Sequence, residues 1–402
     1  GAVTATANTG LAAAETITIT AAEASSITAD STTTAQAITL NAAEPDGDAI
    51  IFTLAANDVE TLTLGGSSAI VVSIDSSDIS TETVTSTNSV SAMLDYTTAT
   101  ASDVTSVASN VVQNLGADFD GITLTVDSDA NIALDTEVAQ TAGGAAVIFA
   151  HETNAAASTN NAFTLSINDS NTGNATADNT AAAAGLTFTD IQSLTIAQGA
   201  LNFDSSADIT GVDLETVTVT GSGTFDLNGN TITGDGTNRV TLDASALEGV
   251  VTMALDGTTD GVATIATGSA ADVITVSGIS GAVAGMNITA NAGNDNVIVT
   301  TAGDGGTSKI TYNGGTGLDT LTLNANTDVS DSTLVLTSVE QIAVVGGGTT
   351  SISSATLSGN GFIFSETGVG TATVTVVVDS TSVDLSGLAF ASSFATGTDS
   401  MA

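Results

Sequence analysis

Short triplets of the pattern apolar, polar, apolar recur along the chain every 23 or 24 residues. Such alternation predicts a β-strand with one buried face. A fixed period of this length predicts a repeat architecture, in which each unit buries its apolar face by stacking on its neighbours. The triplets are Leu194-Thr195-Ile196, Val217-Thr218-Val219, Val240-Thr241-Leu242, Ala263-Thr264-Ile265, Met286-Asn287-Ile288, Ile310-Thr311-Tyr312 and Leu334-Val335-Leu336.

The last apolar residue of each triplet should belong to one buried column, while the middle threonines should face outward. The expected column contains Ile196, Val219, Leu242, Ile265 and Ile288. A second apolar series with the same period contains Phe203, Leu227, Val251, Ile274, Val297 and Leu321, and a third contains Ile209, Ile232 and Leu255. Three short strands per coil predict an all-β fold, a parallel β-solenoid or β-helix with 23–24 residues per coil.

The repeat also occurs near the N-terminus but is lost in the middle of the chain. The N-terminal copies are Ile17-Thr18-Ile19, Ile38-Thr39-Leu40 and Leu62-Thr63-Leu64. We therefore expect N-terminal solenoid coils at 1–84, a small inserted α/β domain at 85–185, and the main solenoid at 186–402.

The inserted segment has the only helical pattern of the chain. Its apolar residues from Val104 to Leu115 fall at helical spacing, after Ser102 as a capping residue and before Gly116 as a stop signal. Strand patterns follow at 121–126, 145–149 and 162–167.

The charge of the chain restricts its partners. Of 402 residues, 44 are Asp or Glu and only 2 are Lys or Arg, so the net charge is −42. Nucleic acid is excluded as a partner because phosphate binding requires clustered basic residues. A surface of this charge attracts cations, and its self-repulsion weakens the folded state unless salt or metal screens it.

The rest of the composition bears on folding and location. Hydrophobic residues make up 42% of the chain, which is too many for a disordered acidic tail. There is no cysteine, so neither disulfides nor thiolate metal sites are available. No apolar run approaches the length needed to cross a bilayer, so we expect no membrane insertion. The near absence of basic residues and thiols favours a secreted, extracellular or cell-surface protein.

One segment matches a glycine- and aspartate-rich nonapeptide at every fixed position. It runs from Gly314 to Thr322 with the sequence GGTGLDTLT, which fits the pattern G-G-x-G-x-D-x-U-x. The glycines allow a tight turn whose carbonyls converge on a cation, and the aspartate adds a charged oxygen. The candidate calcium ligands here are Gly315, Gly317 and Asp319.

Degenerate copies of this motif lie in the two preceding coils. One contains Asn291, Gly293 and Asp295, and the other contains Asp272. The aspartates are 23 and 24 residues apart, so stacking would place them in one column. The alternative is that these residues only turn the corners between strands, as Gly and Asp do in many β proteins.

Through these motifs the chain resembles the RTX (repeats-in-toxin) proteins, in particular bacterial surface-layer proteins and type I-secreted adhesins with RTX-like solenoids. The resemblance implies calcium-dependent folding, export by a type I system and a role at the cell surface. The close match covers about 267–322. The family pairs motifs in tandem, whereas each coil here has one, so we expect few calcium sites.

Catalytic machinery is scarce in this sequence, and we expect no enzyme and no catalytic residues. The chain has one histidine (His151), one lysine (Lys309) and one arginine (Arg239), so catalytic triads, histidine metal sites and phosphate clamps lack parts. Paired carboxylates alone can hydrolyse glycosides, so a polysaccharide-active β-helix enzyme stays an alternative.

The leading functional hypothesis is structural. We expect a calcium-stabilised extracellular protein that assembles with copies of itself into a surface layer or filament, since the open ends of a solenoid are templates for docking. An adhesive module of a large type I-secreted adhesin is the alternative, with the 85–185 segment as its binding head and a cell-surface polysaccharide as a further partner.

Overall fold

The structure is a computed structural model, and it groups the chain into two compact units. The first unit contains 1–201 and 209–214, and the second contains 202–208 and 215–402. The residues described are 4–7, 16–23, 25–29, 37–44, 48–56, 59–74, 79–90, 92–95, 102–104, 111–114, 123–126, 131–135, 147–151, 162–168, 179–181, 186–189, 191–200, 202–205, 208–211, 213–234, 239–256, 262–277, 285–300, 309–331, 333–394 and 399–402.

Short strands make up nearly all the regular structure. In chain order they begin with β1 (Thr4–Ala7), β2 (Thr16–Ala21), β3 (Ser25–Ala29), β4 (Ala37–Ala42), β5 (Ile50–Ala56), β6 (Val59–Gly66), β7 (Ile70–Ile74), β8 (Ile79–Ser86), β9 (Ala92–Asp95), β10 (Ser102–Val104), β11 (Val111–Asn114), β12 (Thr123–Val126), β13 (Asn131–Asp135), β14 (Val147–His151), β15 (Ala162–Asn168), β16 (Asn179–Ala181), β17 (Leu186–Thr189) and β18 (Ser193–Gly199).

The remaining elements are twenty-one strands and one short helix. They are β19 (Asn202–Asp204), β20 (Ile209–Gly211), β21 (Thr216–Gly221), β22 (Phe225–Asp226), β23 (Ile232–Thr233), β24 (Val240–Asp243), β25 (Val251–Asp256), β26 (Val262–Ala266), β27 (Val273–Ser277), β28 (Met286–Thr289), β29 (Asn296–Val299), β30 (Lys309–Asn313), β31 (Thr320–Leu323), β32 (Asp328–Val329), β33 (Thr333–Thr337), β34 (Gln341–Val345), β35 (Gly348–Ser353), α1 (Ser354–Leu357), β36 (Ile363–Thr367), β37 (Ala372–Val377), β38 (Ala389–Phe390) and β39 (Ser400–Met401).

In the first unit, successive strands along the chain alternate between sheets, so each sheet grows by one parallel strand per coil. The three sheets have the strand orders β1-β3-β5-β7-β9-β11-β13-β15-β18, β2-β4-β6-β8-β10 and β12-β14-β17-β20. The predicted N-terminal triplets stack as expected, since Ile38 pairs with Leu62 and Leu62 with Val84. All three side chains are buried.

The second unit is built in the same way. Its three sheets have the strand orders β21-β24-β26-β28-β30-β33, β19-β22-β25-β27-β29-β31-β34-β36-β38 and β32-β35-β37-β39. The described pairings within it are parallel. A parallel β-solenoid is thus the fold of the described residues, as the sequence predicts.

The predicted buried column is present, with two differences in register. Ile196, Val219, Leu242, Ile265 and Ile288 are all at most 1% exposed, and the threonines between them are at least partly exposed. Leu242, however, pairs with Val217 rather than with Val219. A shift of two residues keeps the same face buried, which is why the triplet pattern does not reveal it.

The second difference is a bulge, and it affects the triplet that begins at Ala263. Val240 pairs with Val262 whereas Thr241 pairs with Thr264, so Ala263 is the extra residue on β26. Val262 is buried in the position predicted for Ala263.

The other two apolar series are buried, but their assignment to strands needs correction. Val297 pairs with Ile274 and with Leu321, as the second series predicts. Leu255, placed in a third series by its spacing, pairs instead with Val276 in the second sheet. From β24 to β31 the strands alternate between two sheets, so these coils carry two strands and not the predicted three.

The helix predicted between Val104 and Leu115 is wrong. Its described parts are the strands β10 and β11, and β11 pairs in parallel with β9 and β13. β-Branched valines dominate this segment, and they favour a strand once neighbouring strands offer a ladder to pair with. The three predicted strands at 121–126, 145–149 and 162–167 are confirmed as β12, β14 and β15.

The described strands of 85–185 therefore join the sheets of the first unit. β9 pairs with β7 and β15 pairs with β18, so the ladder runs through the segment. The predicted division at residues 84 and 185 differs from the two compact units, and an independent domain at 85–185 stays a prediction. Most of the connector expected at 154–184 lies outside the described residues.

The one helix in the described part of the chain is the four-residue α1, which contacts β33. The hydroxyl of Ser353 accepts a hydrogen bond from Ala355 N and so caps its first turn. Among the described residues, no helix has the length and apolar composition needed to span a membrane.

Candidate aspartate site

The nonapeptide from Gly314 to Thr322 forms a turn between β30 and β31, and its degenerate copies form the equivalent turns one and two coils earlier. The turns lie directly on one another. Thr316 N donates to Asn291 O at 2.9 Å, and Gly293 N donates to Thr316 O at 3.0 Å. The motif thus joins successive coils through the backbone.

Two of the motif glycines are required by this close stacking. A Cβ atom at Gly317 would lie 1.5 Å from Gly293 O, and one at Gly315 would lie 2.0 Å from Asn291 O. Both residues also have positive φ angles, of +143° and +92°. Gly293 is in the same situation one coil earlier, with Ala270 O at 2.1 Å.

The three predicted aspartates form one column in the interior of the stack. Asp272, Asp295 and Asp319 each directly precede a strand, and they are 1%, 2% and 0% exposed. The sequence spacing therefore places them correctly. Glu340 continues the column one coil later, just before β34.

Each carboxyl of this column accepts a hydrogen bond from the backbone of the preceding coil. Asp319 Oδ1 accepts from Asp295 N at 2.9 Å, and Asp295 Oδ1 accepts from Asp272 N at 2.7 Å. At the two ends, Asp272 Oδ1 accepts from Val251 N at 2.7 Å and Glu340 Oε2 accepts from Asp319 N at 2.8 Å. The carboxyls satisfy N–H groups that the strand ladders do not reach, so they hold the coils together.

The second oxygen of each aspartate is buried without a hydrogen-bond partner. This holds for Oδ2 of Asp272, Asp295 and Asp319. Burial, followed by the charges of Asp272 and Asp319, raises the pKa of Asp295 to about 7. Burial is also the main reason why the pKa values of Asp272 and Asp319 are raised.

Tyr312 closes the column on the side of β30. Its hydroxyl donates to Asp295 O at 3.3 Å, and the ring is fully buried. Burial and the nearby carboxylates raise its pKa, so the phenol stays neutral. The sequence analysis missed the roles of Tyr312 and Glu340, although a residue 17 positions after Asp295 and an acid 21 positions after Asp319 both continue the coil spacing.

The donor set does not fit the calcium ion that the RTX resemblance implies. Calcium takes about six to eight oxygen ligands at roughly 2.3–2.6 Å. Here each coil supplies one carboxyl, and its Oδ1 is already bonded to a backbone N–H. The carbonyls of Asn291 and Gly293 face the next turn at contact distance, which leaves no gap for an ion between them.

Two further observations agree with this result. The side chain of Asn291 turns its Nδ2 donor toward Thr267 O at 2.5 Å, where a calcium ligand would present an oxygen. In the part of the chain that the structure describes, no group of three or more acidic, histidine or cysteine side chains is placed to hold a metal. The column therefore reads as a set of backbone acceptors.

Exposed aspartates of the second unit serve the turns in a different way. Asp243 Oδ1 accepts from Ser245 N at 3.0 Å, and Asp384 Oδ1 accepts from Ser386 N at 3.0 Å. Asp328 does the same for Ser330 N at 2.9 Å. The pattern Asp-x-Ser is the signal for these turns, and the sequence analysis did not use it. Hydrogen bonds from Ser386 lower the pKa of Asp384.

The scarce basic residues do not gather near the column. Arg239 donates to Val262 O at 3.1 Å and to Gly285 O at 3.4 Å, so it ties neighbouring coils together. Lys309 begins β30 with an exposed side chain, and His151 ends β14.

Comparisons of the chain with protein-family models, with curated proteins and with solved structures gave no match. The RTX resemblance therefore stays a prediction from the motifs.

Proposed function

We propose that this protein is an extracellular structural component that assembles with copies of itself, with calcium acting between the copies. The observation that supports the proposal is how the acids are used. Those with raised pKa values lie inside the stack as backbone acceptors, and exposed ones cap turns. In both places the carboxyls build coils.

The net charge explains why assembly would depend on a cation. Two surfaces of a chain with a charge of −42 repel each other, and the repulsion is strongest at low ionic strength. Calcium prefers oxygen ligands and can take them from two molecules at once. In this proposal the exposed carboxylates of neighbouring copies share the ion.

Electron microscopy and sedimentation velocity test the proposal. Calcium should produce sheets or fibres, whereas magnesium or sodium chloride at equal ionic strength should leave dispersed protein. Chelation should disperse the assembly before the protein unfolds.

A set of variants sharpens the experiment. Replacing Asp243, Asp328 and Asp384 together by Asn keeps an acceptor for each turn but removes three exposed charges, so calcium-driven assembly should require more calcium. The matched control is Asp295→Asn, a buried change that should leave the calcium requirement unaltered. Dispersed monomers under all conditions would contradict the proposal. Turnover of a polysaccharide that is abolished by one carboxylate substitution would favour the enzyme alternative.

A further inference from the structure

The column of Asp272, Asp295 and Asp319 has a chemical property that coil stacking does not require. Accepting one N–H bond per coil needs a single oxygen, and an asparagine side chain provides one. The column instead holds carboxyls, each with an Oδ2 that is buried without a partner. A buried carboxylate oxygen in that position is costly, whereas a protonated one is a neutral hydroxyl.

We propose that this column binds protons inside the coil stack, and that the second unit loosens as the column loses them with rising pH. The inference is independent of assembly and of calcium. It follows from the burial of three equivalent carboxyls on successive coils and from the groups that surround them.

The spacing of the column makes complete ionisation unfavourable. Successive coils of parallel strands are separated by about 4.8 Å, so the three carboxyls lie within roughly 10 Å of one another. That distance is comparable to the Debye length at physiological salt, and the burial of the groups weakens screening further. Like charges held so close in a desolvated site favour retention of protons.

The groups that face Asp295 offer no compensating positive charge. Asp272 faces it from the preceding coil and Asp319 from the following coil, and both disfavour a charge on it. From β30, Tyr312 directs its hydroxyl to the backbone oxygen of Asp295. Glu340 lies beyond Asp319 and disfavours a charge on that residue.

The sign of the pH dependence follows from the folded-state pKa. Asp295 has a pKa of about 7 in the folded protein, against an ordinary value of 3.8. The folded state therefore binds more protons than the unfolded state between these values. Stability is greatest below the ordinary pKa and decreases as the pH rises toward the folded value.

Thermal unfolding of the wild type and of Asp295→Asn, from pH 5 to pH 9 with a calcium chelator present, tests the proposal. Asparagine keeps an oxygen for Asp272 N and places an N–H where the proton would be. The two proteins should melt at similar temperatures at pH 5. At pH 8 the wild type should melt lower, by on the order of 5 °C.

The general repulsion of an acidic chain also grows with pH, so the decisive quantity is the difference between the two proteins at each pH. Asp384→Asn is the matched control, since it removes one exposed acid and should leave the pH dependence of the wild type in place. Infrared spectroscopy gives a second measurement. The wild type at pH 6 should show the carbonyl band of a protonated carboxyl, and Asp295→Asn should show less of it.

If Asp295→Asn does not fold, Asp319→Asn and the infrared spectrum of the wild type decide the question. A difference in melting temperature that does not change with pH would overturn the proposal. So would the absence of a protonated carboxyl band at pH 6. A calcium-dependent rise in the melting temperature that is lost in Asp295→Asn would show a metal site instead.

Discussion

The turns of the two units are joined by side chains of different chemistry. In the first unit, Ser68 Oγ accepts from Glu44 N at 2.8 Å and donates to Glu44 O at 2.8 Å. Asn88 Nδ2 then donates to Ser68 O at 2.8 Å. In the second unit, the equivalent task of satisfying turn backbone falls to the carboxyls of Asp295 and Asp319.

This difference shows that coil stacking does not depend on acidic side chains. Both arrangements satisfy backbone groups at the places where the ladders between parallel strands are interrupted. A hydroxyl or amide does so without titrating, while a carboxyl adds a dependence on pH. The first unit should therefore respond to pH only through its general charge, and the second through specific groups as well.

The largest effect should come from breaking the close contact between turns in the second unit. Gly317→Val would place a side chain where Gly293 O lies 1.5 Å from the ideal Cβ position, at a φ angle of +143°. We expect a loss of about 4 kcal/mol or more in the free energy of unfolding, measured by urea denaturation.

Gly229→Val is the matched control for this substitution. Gly229 has a φ of +81° but no atom within 4 Å of its ideal Cβ position. The strain of the left-handed conformation alone should cost roughly 1–2 kcal/mol. Equal losses in the two variants would show that the turns of the second unit are not in contact.

A smaller effect should follow from removing one carboxyl of the column. Asp319→Ala leaves the N–H of Asp295 buried without its acceptor, which should cost about 1–3 kcal/mol at pH 5. At pH 8 the loss should be smaller, because the substitution also removes a buried carboxyl with a raised pKa. Urea denaturation at both pH values measures this, and a loss that grows with pH would refute the account.

The equivalent change in the first unit is Ser68→Ala. It removes the hydroxyl that both accepts from and donates to the backbone of Glu44, at a cost of about 1–2 kcal/mol. Because a hydroxyl does not titrate, the loss should be the same at pH 5 and pH 8. A pH-dependent loss comparable to that of Asp319→Ala would remove the distinction between the two units.

The smallest effect should come from Asp384→Asn at an exposed turn. Hydrogen bonds from Ser386 lower the pKa of Asp384, so its ionised form contributes stability at neutral pH. That contribution is lost as the pH falls through the lowered pKa, which is the opposite direction from Asp295. Melting curves at pH 7 and pH 3 should show a small deficit of the variant at pH 7 only.

The sequence predicted the parallel solenoid, its period and the buried face because all three follow from alternation and spacing. Ile265 and Ile288 pair as the spacing requires. Register shifts of two residues, as between Val217 and Leu242, keep the same side buried and leave no trace in the pattern. The strand β11 was mistaken for a helix because helical spacing of valines outweighed their β-branched shape.

The column of aspartates was predicted from spacing, but its chemistry was not. The same glycines and aspartates can cradle a cation or allow two turns to touch, and only the distance from Gly317 to Gly293 O distinguishes them. The partners of the carboxyls are backbone N–H groups, which no residue type in the sequence marks. Asp46, Asp235 and Asp304, which the sequence favours as turn residues, lie outside the described residues.

The direction of the carboxyl hydrogen bonds has a consequence for protein engineering. Each rung of the column accepts from the coil before it, so one whole coil is the natural unit of deletion or insertion. Removing residues 273–295 would bring Asp272 directly before Asn296, and Asp319 would then be the next acid along the chain. Its Oδ1 could accept from the Asp272 N–H that Asp295 now serves. The length of the molecule could thus be edited in steps of one coil without redesigning a turn.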